Sequence, residues 1–281
     1  MAKYGLLVNP AAGRKSTAEK KKITSHAAKI LGNCTTAGLE TKSAKEFRAC
    51  AAKLAKKVDV LIVAGGDGSF YEAVNSIDSD VALAYLPLGT GNALKYALGL
   101  HGSELNIIKQ IKNGKEHRHD LISYKNRKAV FASIGLDGEI LQKKSYGLCS
   151  YALRLFEHFV RGFSRTSAEI CIDDEKITMQ DTISLIVTKI PYYGFGLKVV
   201  PKASLNDGKL HFLAVNDNFS FWCGLTASLF WKNTLGKYCS GKNIHIKTKN
   251  PCHAHLNGIP LQEKSTEFRF TIKENAIRMV Y

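Results

Sequence analysis

Residues 64–69 read Ala-Gly-Gly-Asp-Gly-Ser, directly after the apolar run Val60-Leu61-Ile62-Val63 and directly before the helical pattern Phe70-Tyr71-Glu72-Ala73-Val74. A buried strand that ends in glycines around one carboxylate and then opens a helix is a place to hold phosphate. Gly65, Gly66 and Gly68 let a ligand touch bare backbone. The helix behind them turns unpaired N–H groups, and the positive end of its dipole, toward an anion. Phosphate would repel a carboxylate in such a cradle, which leaves Asp67 another role. It suits a general base for an attacking hydroxyl or an anchor for Mg²⁺. A tight strand-to-helix turn, with Asp chosen for its turn chemistry, uses the same residues.

Two similar junctions lie on either side. Tyr4-Gly5-Leu6-Leu7-Val8 runs into Asn9-Pro10-Ala11-Ala12-Gly13, and a helix then opens at the capping box Ser16-Thr17-Ala18-Glu19. Val81-Ala82-Leu83-Ala84-Tyr85 leads into Pro87-Leu88-Gly89-Thr90-Gly91-Asn92 ahead of a helical segment at 93–98. In an open α/β sheet, loops at the carboxyl ends of strands line one crevice. Three such loops are expected to converge on one ligand.

The elements that must position these loops alternate up to about residue 120. Helices are expected at 16–31, 44–57, 69–77, 92–98 and 104–112, with short apolar strands between them. That order argues for a Rossmann-like, mostly parallel sheet covered on both faces. After Gly114 the texture changes. One hairpin is expected from 121–124 and 130–133 around Lys125-Asn126-Arg127, another from 168–172 and 176–179 around Asp173-Asp174. Further strands at 183–188, 210–215, 244–248, 267–272 and 278–281 complete an antiparallel β-sandwich or barrel. The expected organisation is therefore an α/β domain over 1–120 and a β-sandwich domain over 121–281. Within the second, Ala152, Leu155, Phe156, Phe159, Val160 and Phe163 repeat at helical spacing. That stripe could lie on an anionic bilayer, but packing on its own sheet is the preferred reading.

With 45% apolar and 23% charged residues over 281 positions, a packed core is expected. A net charge of +16 favours an anionic partner such as a membrane surface or nucleotide phosphates. Lys20-Lys21-Lys22 and Lys56-Lys57 read as solvated helix faces, and no nucleic-acid partner is expected. The seven cysteines contain no C-x-x-C pair, which fits a reducing cytosol rather than a metal site or disulfide framework. No signal peptide is expected. The longest apolar stretch, 219–231, is interrupted by Ser220, Gly224, Thr226 and Ser228 and falls short of a bilayer span of ~20 residues. Membrane contact is therefore expected to be peripheral.

Asn9-Pro10-x-Ala-Gly13, Gly65-Gly66-Asp67-Gly68-Ser69 with Glu72 and Asn75, and Gly89-Thr90-Gly91-Asn92 resemble the nucleotide site of the diacylglycerol kinase and sphingosine kinase catalytic-domain superfamily. The resemblance continues in the family's order through Ser133-Ile134-Gly135-Leu136-Asp137-Gly138-Glu139, Tyr192-Tyr193-Gly194-Phe195-Gly196 and the segment 201–210. It implies transfer of the ATP γ-phosphate to a hydroxyl of a lipid such as diacylglycerol or a sphingoid base, with Mg²⁺ bridging the phosphates. It also implies a cytoplasmic protein working at the inner membrane face. On this resemblance Asn9, Gly13, Gly65, Gly66, Gly68, Ser69, Thr90, Gly91 and Asn92 hold the nucleotide, and Thr41 reaches it. Asp67 is the expected base, braced by Glu72 and Asn75. An acid at 135–139 faces the lipid head group in the sphingosine kinase branch, and Asp137 or Glu139 matches it; for Asp137 a solvated loop acid is the preferred reading.

The sequence departs from the pattern in two places. The late Asp-Gly-Glu turn of the family is here Asn257-Gly258-Ile259, a substrate-proximal position that cannot act as a base. Asp207 matches the family's acidic metal-binding segment, but Ser204 stands where a second acid is expected, so the auxiliary Mg²⁺ site is supported only in part. A catalytically impaired nucleotide- or lipid-binding homologue is one alternative. An NAD kinase, which shares a Gly-Gly-Asp-Gly loop in a similar two-domain plan, is another.

Overall fold

The computed structural model describes residues 2–142, 148–230, 232–233 and 235–281, without the side chains of 148 and 149. The expectations for Cys149 and Trp231 lie outside the described side chains. The other six cysteines are free thiols. The chain divides into two compact units, 1–119 together with 275–281, and 120–274.

The first unit runs β1 (Tyr4–Val8), α1 (Thr17–Leu31), β2 (Cys34–Ala37), α2 (Ala44–Ala55), β3 (Val60–Gly65), α3 (Asp67–Val74), β4 (Ala82–Pro87), α4 (Ala93–Ala97) and α5 (Glu104–Asn113). Its strands pair in parallel in the order β2-β1-β3-β4. Every residue of β1, β3 and β4 is buried, as a parallel sheet covered on both faces requires. The capping box at Ser16 and Glu19 is formed, so α1 starts where its sequence says it should.

On α1 the buried positions are Lys20, Thr24, Ala27 and Leu31, a helical stripe that includes one of the three consecutive lysines. The solvated-face reading therefore fails for Lys20, which is 1% exposed and donates its Nζ hydrogen bond to the Pro10 carbonyl. Position on the helix overrides residue type there.

β5 (Glu116–Tyr124) begins in the first unit and continues into the second, which contains β6 (Arg127–Ala129), β7 (Phe131–Gly135), α6 (Leu136–Gln142), α7 (Leu148–Arg161), β8 (Thr166–Ile172), β9 (Glu175–Thr182) and β10 (Ser184–Thr188). This unit continues with β11 (Leu210–Val215), α8 (Asn218–Phe230), β12 (Lys237–Gly241), β13 (Asn243–Cys252), β14 (Ala254–Leu256), β15 (Ile259–Pro260) and β16 (Ser265–Val280). One sheet follows β12-β11-β10-β7-β14-β15; the other follows β16-β13-β8-β9, with β5 and β6 joined to it at β16. Ile170, Ile244 and Phe268 of one sheet share a core with Ile134, Val187 and Phe212 of the other, which makes the unit a sandwich.

Three local differences from the sequence expectation have clear causes. The hairpin partner of β5 is β6 rather than 130–133, because Lys125 and Asn126 both take positive φ in a two-residue turn and bring Tyr124 opposite Arg127. The chain then leaves that sheet, and β7 pairs with β10 and β14 in the other. The segments 267–272 and 278–281 are one strand, β16, whose end carries Met279 beside Leu83 in the first unit.

The apolar stripe of α7 divides. Leu155 packs with Leu136, Ile140 and Ile183, and Tyr151 and Phe163 join that cluster along with Phe221 and Trp222 of α8. Leu153, Phe156 and Val160 remain 70%, 61% and 68% exposed. The apolar face of this amphipathic helix is wider than the surface its neighbours cover. No helix among the described residues is long and apolar enough to cross a membrane.

Candidate functional site

In the first unit the loops after β1, β3 and β4 are in mutual contact. Asn9 joins the first two: its Oδ1 accepts the Ala11 N–H at 2.9 Å, and its Nδ2 donates to Ser69 Oγ at 2.8 Å in the first turn of α3. Gly13 sits at φ +63°, where a Cβ would stand 2.1 Å from the Leu88 carbonyl oxygen. The first loop is thus held against the third by the absence of a side chain. Gly66 and Gly89 meet in the same way, since a Cβ on Gly89 would lie 2.4 Å from the Gly66 Cα. The Gly65 carbonyl accepts the N–H groups of Leu88 and Gly89 at 2.8 and 3.1 Å.

At the centre of this arrangement α3 begins at Asp67, with Gly66 in the cap position and so no capping side chain. Backbone donors framed by glycines at a helix start suit an anion. Ser69, Gly68 and Gly91 are half-buried around it, and Thr90 is exposed on the third loop. Asn92 adopts the left-handed conformation at φ 47° and ψ 47°. Its Nδ2 donates to the Gly89 carbonyl at 2.8 Å and its Oδ1 accepts from Tyr85 Oη at 2.9 Å, which closes the third loop on itself. Thr41 instead donates to the Gly38 carbonyl of its own loop at 2.7 Å.

Asp67, the expected base, is bonded through both of its oxygens. Its Oδ2 accepts the Ala93 N–H and its Oδ1 the Leu94 N–H, both at 2.9 Å. The carboxyl group is enclosed by protein, although the residue as a whole is only half-buried. Burial raises its pKa, while the Leu94 and Ala93 hydrogen bonds oppose the rise. Both oxygens are committed to the start of α4. Through both oxygens Asp67 thus ties the second loop to the third. Glu72 pairs with Arg48, and Asn75 Nδ2 donates to the Tyr71 carbonyl at 2.8 Å, so both brace α3.

In the second unit a small, partly open cleft of about 70 Å³ is lined by apolar Leu155, Ile186, Leu213 and Phe221, with Asp137 among its polar lining residues. Asp137 is 7% exposed, which corrects the solvated-acid reading. Its Oδ1 accepts from Tyr151 Oη at 2.7 Å, and its Oδ2 accepts from Ser133 Oγ at 2.8 Å and Ser184 Oγ at 3.1 Å. Three hydroxyl donors replace the water that burial removes.

Tyr193 extends this network to His255 Nε2 at 3.1 Å. His255 Nδ1 accepts the Gly258 N–H at 3.2 Å, which places the ring proton on Nε2, facing the tyrosine. Burial brings the His255 pKa down to about 4, with Asp137 opposing, so the ring is neutral at pH 7. Burial, and after it the charge of Asp137, raises the pKa of Tyr151 and Tyr193 well above the ordinary value. An apolar cleft ending in a carboxylate and two tyrosines suits a ligand with an apolar body and a hydrogen-bonding head. Sequence reasoning passed over Tyr151 and His255, which no local spacing connects to Asp137.

The other expected second-unit positions fall elsewhere. Glu139 lies two residues beyond Asp137 on α6, on a different face, and lines a separate hollow with Arg165 and Lys264. Its Oε2 is 3.8 Å from His158 Nδ1. Asn257 occupies the turn between β14 and β15 at φ 51°, and its Oδ1 accepts the N–H groups of Val130 and Phe131 at 3.0 and 3.2 Å. Its carbonyl oxygen is thus a backbone brace. Asp207 Oδ1 binds Lys189 Nζ at 2.7 Å, and its Oδ2 lies 2.8 Å from His211 Nε2. Burial works against its charged form, but Lys189 and His211 together hold its pKa below the ordinary value.

A diacylglycerol kinase catalytic domain matches residues 3–124, and a YegS C-terminal NAD kinase beta sandwich-like domain matches residues 139–255. The chain is 27% identical over 227 residues to a diacylglycerol kinase of Bacillus subtilis (strain 168), an alignment covering 74% of this chain and 72% of that one. A diacylglycerol kinase of Staphylococcus epidermidis (strain ATCC 12228) is 27% identical over 221 residues, covering 73% and 69% of the two chains. Among solved structures, a diacylglycerol kinase from Bacillus anthracis str. Sterne superposes with a TM-score of 0.77 at 19% identity, over 100% of this chain and 97% of that one. An NAD kinase from Archaeoglobus fulgidus in complex with ATP shares the fold at a TM-score of 0.55 and 14% identity, over 99% and 93% of the two chains. The chain thus carries a diacylglycerol kinase catalytic domain followed by a YegS-type C-terminal beta sandwich-like domain.

Proposed function

We propose that the protein is an ATP-dependent lipid kinase that transfers the γ-phosphate to a lipid hydroxyl at the cytoplasmic membrane face. The observation that carries this reading is the meeting of three glycine loops at the start of α3, through Gly13 against Leu88 and Gly66 against Gly89. Residues 1–120 supply the nucleotide cradle on this reading, and 121–281 the lipid-substrate domain. Mg²⁺ enters with ATP as part of the substrate and neutralises charge on the phosphates. Asn9, Gly13, Gly65, Gly66, Gly68, Ser69, Thr90, Gly91 and Asn92 hold the triphosphate through backbone and short polar side chains. Thr41 supports the edge of that loop cluster.

Phosphoryl transfer passes through a loose transition state that asks for positioning and charge neutralisation more than for a strong base. Asp67 as a clamp meets the first demand. The hydroxyl head of the acceptor lipid enters the cleft of the second unit at Asp137, Tyr151 and Tyr193. The test is transfer of label from γ-labelled ATP to a panel of diacylglycerols, monoacylglycerols, ceramides and sphingoid bases. Loss of transfer in Asp137→Asn, with ATP binding retained, is the expected companion result. Absence of labelled product from every lipid would refute the reading.

One observation favours a second reading, a nucleotide or lipid binder without turnover. Asn257 replaces the family's late acid, and its side-chain oxygen is occupied by backbone. That reading predicts thermal stabilisation by ATP with no product from any acceptor, NAD included.

A further inference from the structure

The family's acidic segment implies an auxiliary divalent ion at Asp207, and the surroundings of that residue test the implication. Asp207 lies just before β11. Beside it stands Lys189, which follows β10 directly and is fully buried, with 0% exposure. Lys189 Nζ lies 2.7 Å from Asp207 Oδ1, 3.2 Å from Asp120 Oδ2 and 2.6 Å from the Lys209 carbonyl oxygen. These oxygens use the three N–H bonds that a lysine ammonium owns.

Two of the carboxylate oxygens have further partners. Asp207 Oδ2 faces His211 Nε2 at 2.8 Å, and Asp120 Oδ2 also accepts the Gly208 N–H at 2.9 Å. His211 Nδ1 is in turn 2.9 Å from Tyr238 Oη. A divalent ion bound to the same carboxylates and carbonyl would sit ~2.0–2.6 Å from each oxygen, in the volume the ammonium fills. Among the described residues, no group of three or more His, Cys, Asp or Glu side chains is arranged to hold a metal. The residues do not fit the auxiliary ion.

We infer that Lys189 is the resident cation of this segment. Its ammonium stands where a divalent ion would otherwise bridge Asp120, Asp207 and the backbone at 209, so the loop 202–209 is ordered without metal. A fully buried lysine is rare unless it is paired, and removing one partner of a buried pair is far more damaging than exchanging the whole set. The covalent cation also cannot be extracted by a chelator. This inference concerns the second unit's architecture and stands apart from the kinase reading.

The experiment uses the nucleotide-free full chain, stripped with EDTA and melted across titrations of MgCl₂ and CaCl₂ against NaCl of matched ionic strength. The unfolding midpoint of the native sequence is expected not to move, and calorimetry is expected to show no saturable binding of either ion. Lys189→Ala leaves two facing carboxylates in a small cavity. Its midpoint is expected to fall, and Ca²⁺ or Mg²⁺ is expected to restore part of the loss saturably. The variant Lys189→Ala/Asp120→Asn/Asp207→Asn removes the charges and is expected to melt without any response to either ion. A saturable rise of the native midpoint with Mg²⁺ or Ca²⁺ overturns the inference, as does a Lys189→Ala protein that folds and ignores both ions. If Lys189→Ala does not fold at all, the native titration and calorimetry decide alone.

Discussion

Replacing Asp67 by asparagine separates a clamp from a base. In the native protein two backbone N–H groups, of Ala93 and Leu94, each meet a carboxylate oxygen at 2.9 Å. Asn keeps one acceptor and turns an NH₂ group toward the other donor. One enclosed N–H is left without a partner, and the remaining bond loses its charge. An unmade buried hydrogen bond costs ~1–3 kcal/mol. Part of that is offset, because burial already disfavours the Asp67 charge. A net loss of about 2 kcal/mol corresponds to a fall in melting midpoint of about 4–8 °C. Since the clamp joins the second loop to the third, the ATP-induced rise in midpoint should shrink together with the midpoint itself. Thermal melts with and without MgATP, followed by KM and kcat for labelled transfer, give the answer. The expected pattern is a lower midpoint, a weaker ATP shift and a raised KM for ATP. A variant that keeps the native midpoint and ATP shift while kcat drops ~10²-fold or more would identify a proton-transfer base and refute the clamp.

Other perturbations carry equally direct outcomes. Gly89→Ala places a Cβ 2.4 Å from the Gly66 Cα and 2.8 Å from Asn92 Oδ1; the strain of ~1–3 kcal/mol should abolish ATP stabilisation, and a native ATP shift in this variant would count against the cradle. His255 titrates near 6.5 when unfolded but at about 4 when folded. The unfolded state therefore binds the proton first, so stability is full above pH 6.5 and drains away as pH falls toward 4, by ~3 kcal/mol. Denaturant melts of His255→Gln should show a shallower acid slope than the native protein, and an unchanged slope would place the acid sensitivity elsewhere. Lys20→Met keeps the buried stem of α1 but removes the donor to the Pro10 carbonyl; ATP affinity should weaken by several-fold with helix content intact by circular dichroism.

Much of the first unit was legible because its signals are local. A capping box fixes the start of α1, glycines mark the two close loop contacts, and continuous apolar runs announce strands buried on both faces. Convergence of the three loops followed from strand parallelism alone. The contacts of Asp67 were not legible, since its partners are backbone groups 26 and 27 residues away, which carry no side-chain signature. Lys20 could have been placed, because Thr24, Ala27 and Leu31 mark the same helix stripe, but its neighbours Lys21 and Lys22 concealed it. The second unit shows the limit more sharply. Asp137 looked like a loop acid, yet Ser184, 47 residues on, and Tyr151 enclose it. Lys189 carries no motif, and only burial reveals it as the partner of Asp120 and Asp207.

The path of β16 has a bearing on how this molecule is made. Residues 275–281 lie with the first unit, where Arg278 grips Asp80 and Glu116 and Tyr281 bonds His119 at 3.1 Å. The sandwich is thus an insertion between the main body of the α/β unit and the strip that finishes its sheet. During synthesis the glycine loops emerge early, but the edge of β4 waits for residue 279. A ribosome-bound fragment ending before that strip carries the three glycine loops on a sheet whose β4 edge still lacks its last partner.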